Sequence, residues 1–494
     1  MPYVSTRGAG PVSAPEAIVR GIAPDGGLYV PLSLPSLTRA DFDALAALPY
    51  PSRAARTLSW LLDGFTEDEL LPMARAAYSR FADPAVAPVK PLADGKYVLE
   101  LFHGPTMAFK DMALQFLPRL MTASARKQGE KREIAILTAT SGDTGKAALE
   151  GFRDVEGTSV TVFYPLGGVS AVQERQMVTS RGKNVHVAAV KGNFDDAQTG
   201  VKALFADPAF IGRMNGLGKT LSSANSINLG RLAPQVAYYL SACADLISRG
   251  EATWDEGISV CVPTGNFGNI LAAWYARRMG APIRRLICAS NRNDVLTDFI
   301  RTGVYDRRRP FHKTISPSMD ILISSNLERF LWELSESECQ VRAWMDSLKA
   351  DGRYEISVDQ KARMKEAFFG GFADDGRTAR SIADLWQNEH YLSDPHTAVA
   401  FAVAGDYRRE TGDHRPLLVV STASPYKFAA DVAAAIGVPV SGDAFSAADA
   451  LERATGMKAP AQVAELRALP VLHSRVCEKD RMGEAVLAGF GTET

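Results

Sequence analysis

The sequence predicts an α/β protein with two parallel-type lobes, an additional N-terminal segment and an insertion. Three observations lead there. At 494 residues the chain exceeds what one hydrophobic core usually supports, so two or three domains are expected. From about residue 130, short apolar runs alternate with helical stretches, the pattern of parallel sheets covered by helices on both faces. Three of those runs end in polar turns that open a helix, and ligands of such sheets bind at the carboxyl ends of the strands.

Taken in order, residues 1–90 mix Gly-Pro turns with helical patterns at Ala40–Leu48 and Glu67–Phe81. Pro84, Pro88 and Pro91 then mark a junction. Strands are predicted at Ile134–Leu137, Val160–Tyr164, Val185–Val190, Ile258–Val262, Arg285–Ala289 and Leu417–Val420. Helices fall between them at Ser170–Ser180, Asp195–Phe205, Leu232–Ile247 and Ile270–Met279. Residues 91–440 form the predicted core, with a smaller lobe at about 130–235. The span of about 300–390 breaks the alternation with Arg307-Arg-Arg309, Pro310, Pro317 and a charged helical stretch, which predicts an insertion. Residues 441–494 are expected to form a C-terminal helical tail.

Composition narrows the function. Hydrophobic residues at 46% and charged residues at 22% are ordinary globular values. A formal net charge of −1 argues against a nucleic-acid or anionic-membrane partner, so any phosphate recognition is expected to be local. The cysteines 243, 261, 288, 339 and 477 form no C-x-x-C pair, and Cys261 and Cys288 lie in apolar runs. Reduced thiols in a reducing compartment are the natural reading. No run approaches 18 apolar residues and no basic-then-apolar leader opens the chain, so a cytoplasmic location is expected. No H-x-x-x-H or H-E-x-x-H spacing appears, and no metal is expected.

The segment Leu101-Phe-His-Gly-Pro-Thr-Met-Ala-Phe-Lys110-Asp-Met-Ala-Leu-Gln115 sets one lysine among Met107, Phe109, Met112 and Leu114. Desolvation lowers an amine's pKa and makes it a nucleophile able to form a Schiff base with an aldehyde cofactor. A snorkelling lysine with its head in water is the competing reading. Val262-Pro-Thr-Gly265-Asn266-Phe267-Gly268-Asn269 follows a strand and opens a helix. Its two glycines are able to adopt φ > 0 and let backbone N–H groups converge on a dianion at the positive end of the helix dipole. A plain strand-to-helix turn is the alternative. Thr138-Ala-Thr-Ser141-Gly142-Asp143-Thr144-Gly145 offers hydroxyls and N–H groups at a second strand end. It superficially resembles a phosphate-binding G-x-x-x-x-G-K-[ST] loop, but Gly142 to Lys146 is two residues too short and Ala147 replaces the hydroxyl. Thr422 follows a third strand, with Ser421 as its competitor and a helix cap as the bland alternative.

Together these motifs resemble the fold-type II pyridoxal-phosphate enzymes and, within them, the threonine synthase family. The likeness extends to Tyr3–Gly8, Gly21–Pro31, Gly192–Asp196, Ser226-Ile-Asn228, Ser324–Arg329 and Asp394-Pro-His396-Thr397, spanning residues 3 to about 430. The resemblance implies a cofactor, pyridoxal 5'-phosphate, held by Lys110. Its phosphate would lie on Gly265, Asn266, Phe267, Gly268 and Asn269, and its pyridine nitrogen against Thr422. Ser141, Gly142, Asp143 and Thr144 would grip the substrate carboxylate. Arg231, Asn228, Arg7 and Lys427 are candidates for the substrate phosphate. The implied reaction turns O-phospho-L-homoserine and water into L-threonine and phosphate; a lyase or dehydratase yielding a 2-oxo acid is the alternative. A small-molecule substrate, no nucleic acid, no membrane, and a monomer or homodimer are expected. His103 and His396 are candidates for supporting roles. The family often has His-Pro-Ala-Lys where this chain has Ser424-Pro-Tyr-Lys427, so no histidine role carries over there.

Overall fold

The computed structural model describes residues 2–140 and 142–491. Two sheets face the central cleft. The larger has the order Phe368–Phe372, Ile283–Ser290, Ile258–Pro263, Leu417–Ser421, Lys96–Glu100, Val89–Pro91, parallel throughout except for the last pair. The smaller, all parallel, has the order Arg475–Glu478, Val185–Lys191, Thr158–Pro165, Glu133–Ala139, Lys219–Ser222. Ile258–Pro263 and Thr158–Pro165 are buried along their whole length because helices cover both faces. That explains their unbroken apolar spelling.

The twenty-residue helix Leu229–Ser248 is the spine of the molecule. Asn228 caps it, its Oδ1 accepting from Gly230 N at 2.8 Å. Its sides are buried almost completely, against the N-terminal helices Arg39–Ala46 and Tyr50–Leu61 and against Gly268–Arg278. An all-round apolar helix of this kind belongs inside a protein. The N-terminal segment begins as an antiparallel pair, Tyr3–Ser5 with Tyr29–Pro31.

Two expected boundaries need correction. The segment 441–494 is not simply a helical tail. Helices Ala444–Thr455 and Ala461–Leu466 are present, but Arg475–Glu478 is the edge strand of the smaller sheet. Helix Met482–Gly489 then buries Val486 with Phe163, Val190 and Ala197 in that lobe's core. The span 300–390 is not wholly an insertion either, because Phe368–Phe372 is the edge strand of the larger sheet. Its sequence, Phe-Phe-Gly-Gly-Phe, continues the predicted charged helical stretch and carries two glycines, which weaken strands. Here the glycines admit close neighbours: a Cβ on Gly371 would lie 2.7 Å from Val403 Cγ1, and one on Gly370 3.2 Å from Thr297 Cα.

Arg329, fully buried, joins three parts of the chain. Its guanidinium donates to Tyr29 O at 2.9 Å, Asn326 Oδ1 at 2.5 Å and Ile227 O at 2.5 Å. Arg329→Met should lower the unfolding free energy by about 2–5 kcal/mol, since three buried acceptors lose their donor together. Denaturant titration measures it; a loss below about 1 kcal/mol would mean that water replaces those bonds.

Candidate active site

Three backbone hydrogen bonds join the lysine segment to the end of strand Leu417–Ser421. Leu101 N donates to Ser421 O at 2.9 Å, Phe109 N to Thr422 O at 2.8 Å, and Ser424 N to Met107 O at 3.1 Å. Inside the segment, the Asp111 carboxylate accepts from Thr106 N at 2.8 Å, Thr106 Oγ1 at 2.9 Å and Gln115 Nε2 at 3.3 Å. Gly104 must be glycine, because a Cβ there would lie 2.5 Å from Asp111. Lys110 is held at the first turn of helix Asp111–Leu114. Its side chain is 13% exposed, and its Nζ lies 3.9 Å from Asp143 Oδ2 and 4.9 Å from the Phe109 ring centre. Burial pushes its pKa down to about 8; Asp143 opposes the shift, while Lys427 and Arg231 reinforce it. The snorkelling alternative fails on this burial.

The loop after strand Glu133–Ala139 comes from the smaller lobe. Gly142 has φ +146°, and a Cβ there would lie 2.3 Å from Gln173 Nε2. The Thr140 hydroxyl accepts from Gly142 N and Gly145 N, both at 3.0 Å. Asp143 departs from expectation. Its Oδ1 lies 2.7 Å from Lys427 Nζ, and Lys427 also donates to Thr106 O at 3.0 Å. Burial alone would raise the Asp143 carboxyl, but the Lys427 and Lys110 ammoniums outweigh it and hold it below the usual carboxylate range. A charged carboxylate repels a substrate carboxylate, so this side chain pairs the two lysines instead of gripping one. Thr144 is half-buried, and its hydroxyl has no partner among the described residues. Ser141 lies outside the described residues.

Gly265–Asn269 also differs in detail. Phe267, at φ 62°, takes the left-handed turn, and neither glycine does. Gly265 is needed for close approach: a Cβ would lie 2.9 Å from Ser318 O. The loop's carbonyls are tied back, Ser324 Oγ donating to Gly265 O at 2.7 Å, and Asn326 N and Nδ2 to Asn266 O at 3.1 Å each. The N–H groups of Asn266, Phe267, Gly268 and Asn269 have no acceptor among the described residues. They sit at the start of helix Gly268–Arg278, where N–H groups and helix dipole favour an anion.

Two further donors are buried without partners, Asn269 Nδ2 and Arg231 Nε. Arg231 is 4% exposed, donates once to Ala224 O at 2.7 Å, and has no carboxylate in ion-pairing range among the described residues. Burial brings even its pKa down to about 10. An isolated buried guanidinium is costly unless an anion meets it. Asn228 and Arg7, by contrast, have protein partners. Asn228 caps its helix and donates Nδ2 to Ile18 O at 3.0 Å and Ser223 O at 3.3 Å. Arg7 forms a two-pronged pair with Glu328, both bonds 2.8 Å.

Thr422 is separated from its competitor by hydrogen bonding. Ser421 Oγ is engaged by Thr397 Oγ1 at 3.1 Å and Tyr391 OH at 3.3 Å, and Ser424 caps the following turn. The Thr422 hydroxyl has no partner among the described residues. His103 Nε2 bonds Glu100 at 2.9 Å, and His396 lies between Asp394 at 2.8 Å and Ser318 N at 3.2 Å. Both are supports, the second steadying the segment that packs on Gly265. Sequence reasoning missed Tyr238 and Tyr239, whose hydroxyls both reach Asn269 Oδ1 at 2.6 Å. Tyrosines on an apolar helix carry no motif, so nothing in the spelling marks them.

A low-pKa lysine, a cradle of N–H groups with a buried amide donor, and a free hydroxyl fit pyridoxal phosphate. The chain matches the family model described as pyridoxal-phosphate dependent enzyme over residues 96–343, which sets its class. Models of the threonine synthase N terminus and C-terminal region match residues 2–78 and 397–486. The chain is 40% identical to threonine synthase of Pseudomonas aeruginosa over 87% of its length and 89% of that protein. It is 39% identical to threonine synthase-like 1 of Pongo abelii, covering 95% of this chain and 62% of that protein. The crystal structure of pyridoxal-phosphate-bound threonine synthase from Brucella melitensis superposes with a TM-score of 0.88 at 38% identity, over 99% of both chains. The chain belongs to the threonine synthase family.

Two expectations follow. Gly265→Ala should weaken cofactor binding at least about tenfold in a folded protein, because the new Cβ pushes the loop off Ser318 O. Unchanged affinity by equilibrium titration would move the anion site elsewhere. Secondly, the neutral amine is the nucleophile, so lowering its pKa brings reactivity to lower pH. Cofactor uptake by the cofactor-free protein should rise with pH through a midpoint near 8, against the ordinary 10.5. A midpoint at the ordinary value would place the amine in water.

Proposed function

We propose that the chain converts O-phospho-L-homoserine and water to L-threonine and inorganic phosphate. The observation that carries this reading is a pair of separate anion receptors around one desolvated lysine: the N–H cradle of Asn266–Asn269 and the unpaired guanidinium of Arg231. One serves the cofactor phosphate and the other the substrate phosphate. Pyridoxal phosphate, when bound, supplies an electron sink for the bond electrons released at the substrate's Cα.

The chain's residues do the rest. Lys110 holds the cofactor and, once the substrate amine takes its place, carries protons from Cα and Cβ. Its lowered pKa suits it to both duties near neutrality. Asp143 keeps the Lys427 and Lys110 ammoniums from repelling each other. Thr422 offers the pyridine nitrogen a neutral hydroxyl. Thr144, whose hydroxyl has no partner among the described residues, receives the substrate carboxylate at the start of helix Asp143–Phe152. Arg231 binds the phosphate that departs from Cγ, and water adds at Cβ. Buried free thiols at Cys243, Cys261 and Cys288 support a reducing, cytoplasmic setting.

Incubation with O-phosphohomoserine should release threonine and phosphate in equal amounts, with heavy oxygen from labelled water in the threonine β-hydroxyl. Phosphate accompanied mainly by 2-oxobutyrate would make the protein a lyase. Arg231→Gln should lower kcat/KM by about 10- to 100-fold, the scale of a charge-assisted hydrogen bond, while cofactor absorbance persists. Loss of cofactor with substrate binding intact would exchange the two anion sites.

A further inference from the structure

We propose that Tyr239, with Tyr238 beside it, is a positioning residue for phosphate recognition: it fixes Asn269 so that the amide nitrogen, and not the oxygen, faces the anion on the Gly265–Asn269 loop. The inference rests on the reading that this loop holds the cofactor phosphate. An asparagine amide presents two nearly isosteric ends of opposite electrical sense. A dianion only accepts hydrogen bonds, so the wrong end repels it. Something must choose.

The choice lies in the tyrosine protons. Asn269, 7% exposed in the first turn of helix Gly268–Arg278, has its Oδ1 at 2.6 Å from both tyrosine oxygens. The Tyr239 hydroxyl is fully buried and has no other acceptor among the described residues, so its proton goes to Asn269 Oδ1. Tyr238 has a second acceptor, Gln235 Oε1 at 3.1 Å. Gln235 is itself fixed in that sense, because its Nε2 donates to Arg231 O at 2.7 Å. Tyr239 is therefore decisive and Tyr238 secondary. Burial holds both phenols well above their ordinary pKa, so both remain donors. With Oδ1 committed, Nδ2 is the buried amide end without a partner. Arg231, Gln235 and Tyr238 follow at i, i+4 and i+7, so one face of helix Leu229–Ser248 serves both anion receptors.

The test compares binding of pyridoxal phosphate with that of pyridoxal, which lacks the phosphate, on the full chain. Asn269→Ala and Tyr239→Phe should each reduce the preference for the phosphorylated form about tenfold and leave pyridoxal affinity unchanged. The double variant should be no worse than Asn269→Ala alone, because Tyr239 acts through Asn269. Additive losses, or an unchanged preference in Tyr239→Phe, overturn the proposal. An unchanged preference in Asn269→Ala rejects the loop reading itself, which keeps the two failures apart. Should Tyr239→Phe not fold, the same cycle with Tyr239→Met, which also lacks the hydroxyl and adapts to irregular space, decides by the same outcomes.

Discussion

Desolvation of the Lys110 ammonium is the constraint on which the rest of the structure depends. An amine brought to a pKa of about 8 needs walls that exclude water and charges arranged so that the protein still folds. Strand Lys96–Glu100 and strand Leu417–Ser421 supply the platform, and the hydrogen bonds at Leu101, Phe109 and Ser424 prevent the segment from swinging into solvent. Asp111, buried on the same turn, spends its oxygens on Thr106 and Gln115 and not on Lys110. The nearest carboxylate is Asp143, shared with Lys427 and 3.9 Å away. A direct pair with Lys110 would hold the amine's pKa higher; a shared, more distant one opposes the desolvation only in part.

Positive charge is in excess in the cleft by design of its chemistry. Lys110, Lys427 and Arg231 face Asp143 and Asp111, and Arg231 has no carboxylate of its own among the described residues. Such an arrangement costs stability in the absence of anions and is offset when anions arrive, so ligand binding and folding are coupled. The overall balance of charge hides this local excess, which is why composition predicts only that phosphate recognition is local.

The N-terminal segment is joined to the site by a run of hydrogen bonds. The N-terminal segment contributes the Tyr29 carbonyl to Arg329; Arg329 orients Asn326; Asn326 ties back the Asn266 carbonyl. With its carbonyls engaged, the loop is left with N–H groups for an anion. Segments far apart in sequence therefore meet in one hydrogen-bonded chain, giving the N-terminal segment a role in holding the Gly265–Asn269 loop.

The strands were legible because a strand covered on both faces is spelled as an unbroken apolar run, a local property, and Ile258–Pro263 and Thr158–Pro165 show it along their full length. The polar turns after them were legible because a strand end must hand over to a helix start within a few residues. Lys110 stood out because a charge among large apolar neighbours is costly wherever it lies. The strands Phe368–Phe372 and Arg475–Glu478 were not legible: one is spelled with glycines that only a packed neighbour explains, and the other is short and largely exposed. Asn228 and Arg7 look as suited to phosphate as Arg231 does. Only the fold gives Asn228 a helix to cap and Arg7 a Glu328 321 residues away, and among the described residues it withholds a carboxylate from Arg231. A residue's type is fixed by the sequence, but whether its polar groups remain free depends on partners that long-range packing brings to it or keeps away.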